Sequence, residues 1–374
     1  MKIVQGRRVK EDDWIFTNDH VLSNPLVLVF GSRFLLEKED IYSEIRSFFP
    51  NGHLVFGTTS GEIFLNRVFD DSVTFTAIEF EKGNFIVHTE NILSHKKNAV
   101  KAGKALGKKF PEDNLKHLFV ISEGSFVNGS DLITGLESQT LNKIPITGGL
   151  CGDGSRFEKT LASYNEKPKE GEIVVVGFYG DTLEITFAYG DGWIPFGPER
   201  TITKSSGNIL WEIDNIPALN IYKNFLGEKA SELPEAALFY PLSVKTPGSD
   251  YAIGRTILNI DEKNNTMIMA GDVPEGSLVQ LTMAHVDNMS DAAIKASEIA
   301  MKGRKKDPEI GLLTSCFSRK LVMDQRVEEE VEEVQYGIGA EVAISGFYSY
   351  GEIVSIQGKS ILLNQTLTLT LISE

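Results

Sequence analysis

Three short segments hold the residue types that could do chemistry: GTTSGE (57–62), GGLCGD (148–153) and FYSYGE (347–352). Each sets a glycine directly before a carboxylate, as Gly61–Glu62, Gly152–Asp153 and Gly351–Glu352. Glycine serves where the backbone takes positive φ or must approach another group closely. Amides freed by such turns can hold an anion, and the carboxylate can hold a cation. A zwitterion such as an amino acid uses both. The same residues have a plainer use, because Asp or Glu after a strand often caps a helix or bonds backbone amides. Three like turns in one chain favour a shared site. Its expected floor is Gly148, Gly149 and Asp153 from the second turn with Gly346, Tyr348, Gly351 and Glu352 from the third. Thr59, Ser60 and Glu62 form a secondary turn. Of Tyr348 and Tyr350, one can be core and the other a pocket wall.

Further candidates lie outside the turns. Arg255, in AIGRTILNI, puts a charge inside a buried run, which is costly unless paired. It could clamp a ligand carboxylate bidentately or bridge to a turn carboxylate. Asn364, Gln365 and Thr366 interrupt ILLNQTLTL with groups that donate and accept at once, as ligand contacts or as half-exposed edge decoration. Arg319 could reach an anion at a helix start or pair within Glu328 to Glu333. Tyr240, before Pro241, is placed in the same cleft. Cys316 and Cys151 sit at strand exits, where a nucleophile would be. A catalytic thiolate needs a base, and no histidine stands in a Cys/His signature. Buried free cysteine is also ordinary core. A Cys-dependent hydrolase or transferase is therefore the minor alternative, and no catalytic residue is assigned. A haem sensor with one axial histidine is another alternative, although His53 reads as structural and no Cys-x-x-Cys-His is present. The glycine turns do not continue as a P-loop or dinucleotide fingerprint. Two cysteines are too few for a metal site of their own.

The elements that must position these residues repeat. PLVLVFGS reads as a buried strand, EDIYSEIRSFF as a helix with Ile41, Ile45, Phe48 and Phe49 on one face, and HLVFGTTSGEI as a strand entering the first turn. DSVTFTAIEF and NFIVHTE read as a hairpin across Glu81 to Gly83, and NILSHKKNAVKAGKALGKKF as a long helix. HLFVIS, GSDLITGLESQTL and IPITGGLCGDG repeat strand, helix, strand and turn, followed by strands in FEKTLASY, EIVVVGFY and LEITFAYG. EIGLLTSC, RVEEEVEEV and AEVAISGFYSYGEI repeat them again, and KSILLNQT with LTLTLI closes a hairpin. This is internal duplication. It predicts an α/β protein: pseudo-symmetric mixed β-sheets flanked by helices, layered as an αββα sandwich of duplicated strand–helix–strand units. The Gly/Pro-rich crossing GDGWIPFGPERTI is expected to be a structured connection, and Pro217 to restart a helix. Domains are expected at 24–207 and 208–374, with the ligand between the halves and a hinge near Gly190 to Pro198.

Bulk properties set the class. The 374 residues allow a large core, and 41% apolar with 24% charged residues is ordinary globular composition. A formal net charge of −15 argues against nucleic acid or anionic membrane as partner. The N-terminus lacks a signal-peptide apolar region, and no apolar run reaches the roughly 18 residues of a membrane span. A cytoplasmic location is the expectation.

FPNGHLVFGTTSGEI, IPITGGLCGDG, GDGWIPFGPERTITKSSGNILWEIDNIPALNIY, LLTSCFSRKLV and GFYSYGEI…LNQTLTL follow one another through nearly the whole chain. Together they resemble the FIST (F-box and intracellular signal transduction) sensory proteins, with tandem FIST N-terminal and FIST C-terminal domains. Gly192-Trp193-Ile194-Pro195 leading into Thr201 and Thr203 is among the most particular signatures of that family. The resemblance implies a cytoplasmic ligand-sensing module of microbial signal transduction. Its usual ligands are small molecules such as amino acids, and its partners are histidine kinases, chemotaxis receptors or cyclic-nucleotide signalling proteins. Some relatives bind haem and respond to nitric oxide, so haem is the one cofactor the resemblance allows. No kinase, methyl-accepting or diguanylate cyclase segment follows the pattern, so the expected output passes through a separate partner.

Overall fold

Leu26–Ser32 is buried throughout. Strand alternation sends Leu26, Leu28 and Phe30 to one face and Val27 and Val29 to the other. A strand apolar on both faces needs cover on both. In the computed structural model, which describes residues 1–10, 12–140 and 144–374, it has that cover. Leu26–Ser32 runs parallel to His53–Thr59 and antiparallel to Ser72–Glu79, whose far side takes Lys2–Val9. The helix Ile41–Phe48, capped by Asp40, buries Ile41 and Ile45 on the outer face.

This unit occurs three times. Leu115–Ser122 is flanked by Ile146–Leu150 and Glu172–Tyr179, with Asn84–Asn91 beyond. Ile310–Cys316 is flanked by Ala343–Ser349 and Leu367–Ser373, with Glu184–Gly190 beyond. In each, the strand after the glycine turn leaves its own sheet. Glu62–Phe64 pairs with Ala343–Ser349, Ala162–Tyr164 with His53–Thr59, and Gly351–Ile356 with Ile146–Leu150. The first unit thus extends the third sheet, the second the first, and the third the second. Inner faces of all three sheets meet in one core, where Phe30 stacks on Phe347 with centroids 4.5 Å apart and Phe119, Ile121, Val176 and Leu312 fill the centre. Outer faces carry the helices: Ala99–Gly107 and Gly129–Thr140 on the second sheet, Val286–Met301 and Val327–Ile338 on the third.

The third unit is discontinuous. After Glu184–Gly190 the chain departs along Trp193–Ser206 and builds a fourth sheet with its own core of Leu210, Tyr222, Met267 and Val279. It returns along Leu278–Ala284. Outgoing and returning strands pair as Trp193↔Ala284 through Phe196↔Leu281, a two-stranded stalk.

The α/β expectation, with mixed sheets and flanking helices, holds. Several local expectations are corrected. Ser72–Glu79 and Asn84–Asn91 form no hairpin, because they belong to the first and second sheets. The Glu374 carboxylate accepts from Glu81, Lys82 and Gly83 N–H and fixes that crossing. Lys359–Leu363 and Leu367–Ser373 likewise lie in different sheets. The long helix is a 3₁₀ turn, Ile92–His95, then left-handed Lys96 and Lys97, then a helix capped by Asn98. Of FEKTLASY only Ala162–Tyr164 is strand. Two other expectations hold: the crossing after Gly190 is structured, as a 14-residue strand, and a helix starts directly after Pro217. Gly207 is the left-handed turn between two strands of the fourth sheet. Among the described residues no helix is long and apolar enough to cross a membrane.

Candidate functional site

The three glycine turns meet at the end of the three-sheet body where the parallel strands terminate, and they bond to one another. Ser60 N–H donates to Tyr348 O and Tyr348 N–H to Gly61 O, both at 2.9 Å. Gly152 N–H donates to Thr58 O at 3.0 Å, Gly154 N–H to Ser60 Oγ at 3.0 Å, and Tyr350 N–H to Leu150 O at 3.0 Å. Amides expected to hold an anion are therefore taken. Gly148 and Gly346 serve close strand approach: a Cβ there would lie 2.0 Å from Val120 O and 2.1 Å from Leu313 O. Gly148 also has φ +126°, and a Cβ on Gly149 would meet Thr314 at 2.5 Å. Gly351 packs against Leu362 and Leu150.

The turn carboxylates are occupied as well. Glu352 accepts from Ser349 Oγ (2.7 Å), Thr366 Oγ1 (3.0 Å) and Thr366 N–H (3.2 Å). Glu62 accepts from Thr59 Oγ1, Ser72 Oγ (2.6 Å) and Ser72 N–H (3.2 Å). One clasp is thus built twice: a hydroxyl three residues back and a hydroxyl with its amide at the start of the next core strand. Complete burial raises the Glu62 carboxyl to about 7 and the Glu352 carboxyl to about 8. Asp153 departs from the pattern. It accepts from Arg33 Nη1 and Lys159 N–H at 3.0 Å, from Glu158 N–H at 3.2 Å, and from the Tyr350 hydroxyl. In this structure each of these carboxylates is bonded by groups of the chain itself: hydroxyls and amides for Glu62 and Glu352, and Arg33 as well for Asp153.

The remaining candidates divide. Buried Arg255 donates to the carbonyls of Asp272 (3.0 Å), Leu362 (2.9 Å) and Gly254 (3.3 Å), which joins the fourth sheet to the second. Among the described residues it meets no carboxylate at bonding distance, and burial lowers its pKa to about 10. Arg319 pairs with Glu330, Nε to Oε2 at 2.6 Å, both fully buried. Ser315 and Tyr348 hydroxyls also donate to Glu330, so Tyr348 is core. Gln365 Nε2 donates to Thr256 Oγ1 at 2.6 Å, and the Gln365 carbonyl accepts from Trp193 Nε1 at 2.8 Å. Neither Asn364 nor Gln365 decorates an edge. Both are buried, and among the described residues the Asn364 amide has no side-chain partner. Tyr240 packs on the fourth-sheet core and accepts from Tyr222 OH at 2.7 Å through its carbonyl. Burial drives the Cys151 and Cys316 thiols far up, so neither is a thiolate at neutral pH.

Open space lies beside the turns. A cleft of about 660 Å³ separates the end of the body from the fourth sheet. Tyr350 and Phe157 form one wall, stacked at 4.6 Å with 18° between planes. Gly124 to Asn128 lead into the helix Gly129–Thr140 on a second side, and Leu258, Asn259 and Met269 face them from the fourth sheet. Phe157 is 42% exposed and left-handed at φ +52°, a conformation that a bulky residue holds only when its surroundings impose it. A second cleft of about 440 Å³ lies against Thr59 to Glu62, Arg156 and Lys320. Among the described residues no histidine lines either cleft. Sequence reasoning missed Phe157, Phe126 and Asn259. Only Tyr350, beside the glycine of the third turn, carried a signal.

The FIST N domain matches residues 25–216 and the FIST C domain residues 218–355. The chain belongs to the FIST family. That family is a sensory one of signal transduction rather than a catalytic one. An uncharacterized protein of Methanocaldococcus jannaschii is 25% identical over 244 residues, 57% of this chain and 45% of that protein. The chain thus spans less than half the length of the curated relative it matches. Among solved structures, cyanuric acid hydrolase from A. caulinodans aligns over 93% of this chain and 90% of its own, at 9% identity and a TM-score of 0.33. A score that low carries no argument about fold or activity.

Proposed function

We propose that this FIST protein is a cytoplasmic small-molecule sensor that binds an amino acid or similar small polar ligand in the cleft between the three-sheet body and the fourth sheet. One observation carries the reading: the cleft of about 660 Å³ is shared between the convergent turns and the fourth sheet. Ligand binding signals only if two conformations differ in affinity for it. The fourth sheet, held on the body by the stalk and by the buried Arg255–Leu362 and Gln365–Thr256 bonds, supplies them if a ligand in the cleft changes how that docked contact sits. Among the described residues both cysteines are buried thiols and the turn carboxylates bond within the chain, which supports binding over bond-making as the action. The haem alternative has less support, because the cleft offers no axial histidine. The output is read by a separate signalling protein such as a histidine kinase or chemotaxis receptor.

The test is a thermal-shift and calorimetric panel of amino acids on the wild type and on Asn259→Trp, which fills the cleft from an exposed position. A ligand at a hundred times its Kd stabilises by about 2.7 kcal/mol. A shift in the wild type that is lost in the variant is expected. A shift retained in full places binding elsewhere and refutes the assignment.

A further inference from the structure

We propose that the amino acid held in this cleft is an aromatic one, its ring laid against Phe157. The inference rests on the cleft being the sensory site, and it names the side chain which that site selects. Phe157 and Tyr350 are built as a fixed platform. The Tyr350 hydroxyl donates to Asp153, lies 2.7 Å from Gly154 O and accepts from Phe157 N–H at 3.3 Å. Those bonds hold the left-handed Phe157 loop against the tyrosine ring. Phe317 packs edge-on, its centroid 6.1 Å from Phe157 and 6.4 Å from Tyr350. Being nearly equidistant from two stacked rings, it stands beside the stack and not over its end. One face of Phe157 is thus covered by Tyr350, and the other carries the exposure of a ring that remains 42% open.

The rest of the lining suits a ring better than a polar side chain. Val127 and Leu150 line the cleft on the body, and Leu258 and Met269 line it on the fourth sheet, where Leu258 is 44% exposed. The amides in the lining already bond the chain: Asn128 Oδ1 accepts from Asp131 N–H at 3.1 Å, Asn208 Nδ2 donates to Met269 O at 2.8 Å, and Asn259 Oδ1 accepts from Ile260 N–H at 2.8 Å. Charge does not choose between side chains, because both signs stand around the cleft. Glu158 is 65% exposed, with Oε2 3.0 Å from Arg33 Nη2. Lys97 rests on the Phe126 ring, 4.0 Å from its centroid, and among the described residues it pairs with no carboxylate. Arg156 rests on Phe34 at 4.5 Å, and Lys159 bonds Glu37 at 2.7 Å. Lys97 can take a carboxylate and Glu158 an ammonium, so the charged head common to all amino acids is met alike. Selection falls to the side chain, and an aromatic one buries the most apolar area while pairing with the bare Phe157 face in an offset stack.

Calorimetry on the full chain compares phenylalanine and tryptophan with leucine, alanine and glutamine, which share one charged head. It is repeated on Phe157→Ala, on Phe157→Tyr, which keeps the ring, and on Asn259→Trp, which fills the cleft. Phenylalanine and tryptophan are expected to bind about tenfold or more tightly than leucine, from apolar area and ring pairing together. Phe157→Ala is expected to weaken both about threefold to tenfold and to change alanine and glutamine by less than about twofold, whereas Phe157→Tyr keeps the preference. Leucine, alanine or glutamine equalling phenylalanine in the wild type, with binding lost in Asn259→Trp, overturns the aromatic assignment and leaves the cleft standing. An aromatic preference indifferent to Phe157→Ala overturns the ring contact. Binding of none of the five, or binding retained in full in Asn259→Trp, overturns the cleft as the sensory site and this inference with it.

Discussion

Replacing Glu352 by glutamine changes the pH dependence of stability in a direction fixed by its clasp. The side chain is fully buried and its carboxyl titrates at about 8, against 4.5 in an exposed chain. Between those values the folded state holds a proton that the unfolded state has released. Stability from this group is therefore complete below pH 4.5 and is lost as pH rises through about 8. At about 1.4 kcal/mol per unit, the full shift is worth up to about 5 kcal/mol at alkaline pH. Glutamine fits the same clasp: its carbonyl can accept from the Thr366 amide and hydroxyl, and its NH₂ can donate to Ser349 Oγ. It has no proton to lose. Glu62 is common to both proteins, so its own rise to about 7 cancels in the comparison. Chemical denaturation at pH 5 and pH 9 should show Glu352→Gln gaining on the order of 3 kcal/mol relative to the wild type across that interval. A difference that stays constant within about 0.5 kcal/mol between the two pH values would refute the buried, proton-holding clasp.

The remaining predictions concern the body of the protein. Glu330→Gln leaves Arg319 buried without its counter-charge and is expected to destabilise by about 3–5 kcal/mol, whereas Glu332→Gln on the same helix should change stability by less than about 0.5 kcal/mol; denaturant midpoints compare them. Cys151 and Cys316 should resist iodoacetamide at pH 7.5 in the native protein and react fully in denaturant, as counted by mass spectrometry; fast labelling of either would contradict its burial. Gly148→Ala forces a Cβ against Val120 O and a left-handed alanine together, so soluble expression should fail or the midpoint fall steeply, while Gly248→Ala, with positive φ but open space around it, should cost far less.

The three units were legible because each repeats a two-sided apolar strand, a helix and a glycine turn. Their exchange was not. Sequential strands usually pair, which is why Ser72–Glu79 and Asn84–Asn91 read as a hairpin. The partner of Glu62–Phe64 is Ala343–Ser349, far along the chain, and no local pattern encodes that choice. The site divided the same way. Arg319 with Glu330 was among the readings open from sequence, and alternation around Ser349 separates core Tyr348 from cleft-lining Tyr350. A carboxylate after a glycine reads identically whether it meets a ligand or Thr366, because the difference lies in how two distant strands converge. Phe157 gave no signal, since its role comes from a left-handed loop that no periodicity marks.

The central claim is that a small ligand is held between the body and the fourth sheet. Hydrogen exchange with and without saturating amounts of the amino acid that gives the largest thermal shift tests it most directly. The account predicts added protection on both sides of the cleft, at 124–128 and 157–158 on the body and at 258–270 on the fourth sheet, with no change at 59–71 or 317–324. Protection confined to one side, or found instead around Thr59 to Asp71, would contradict it.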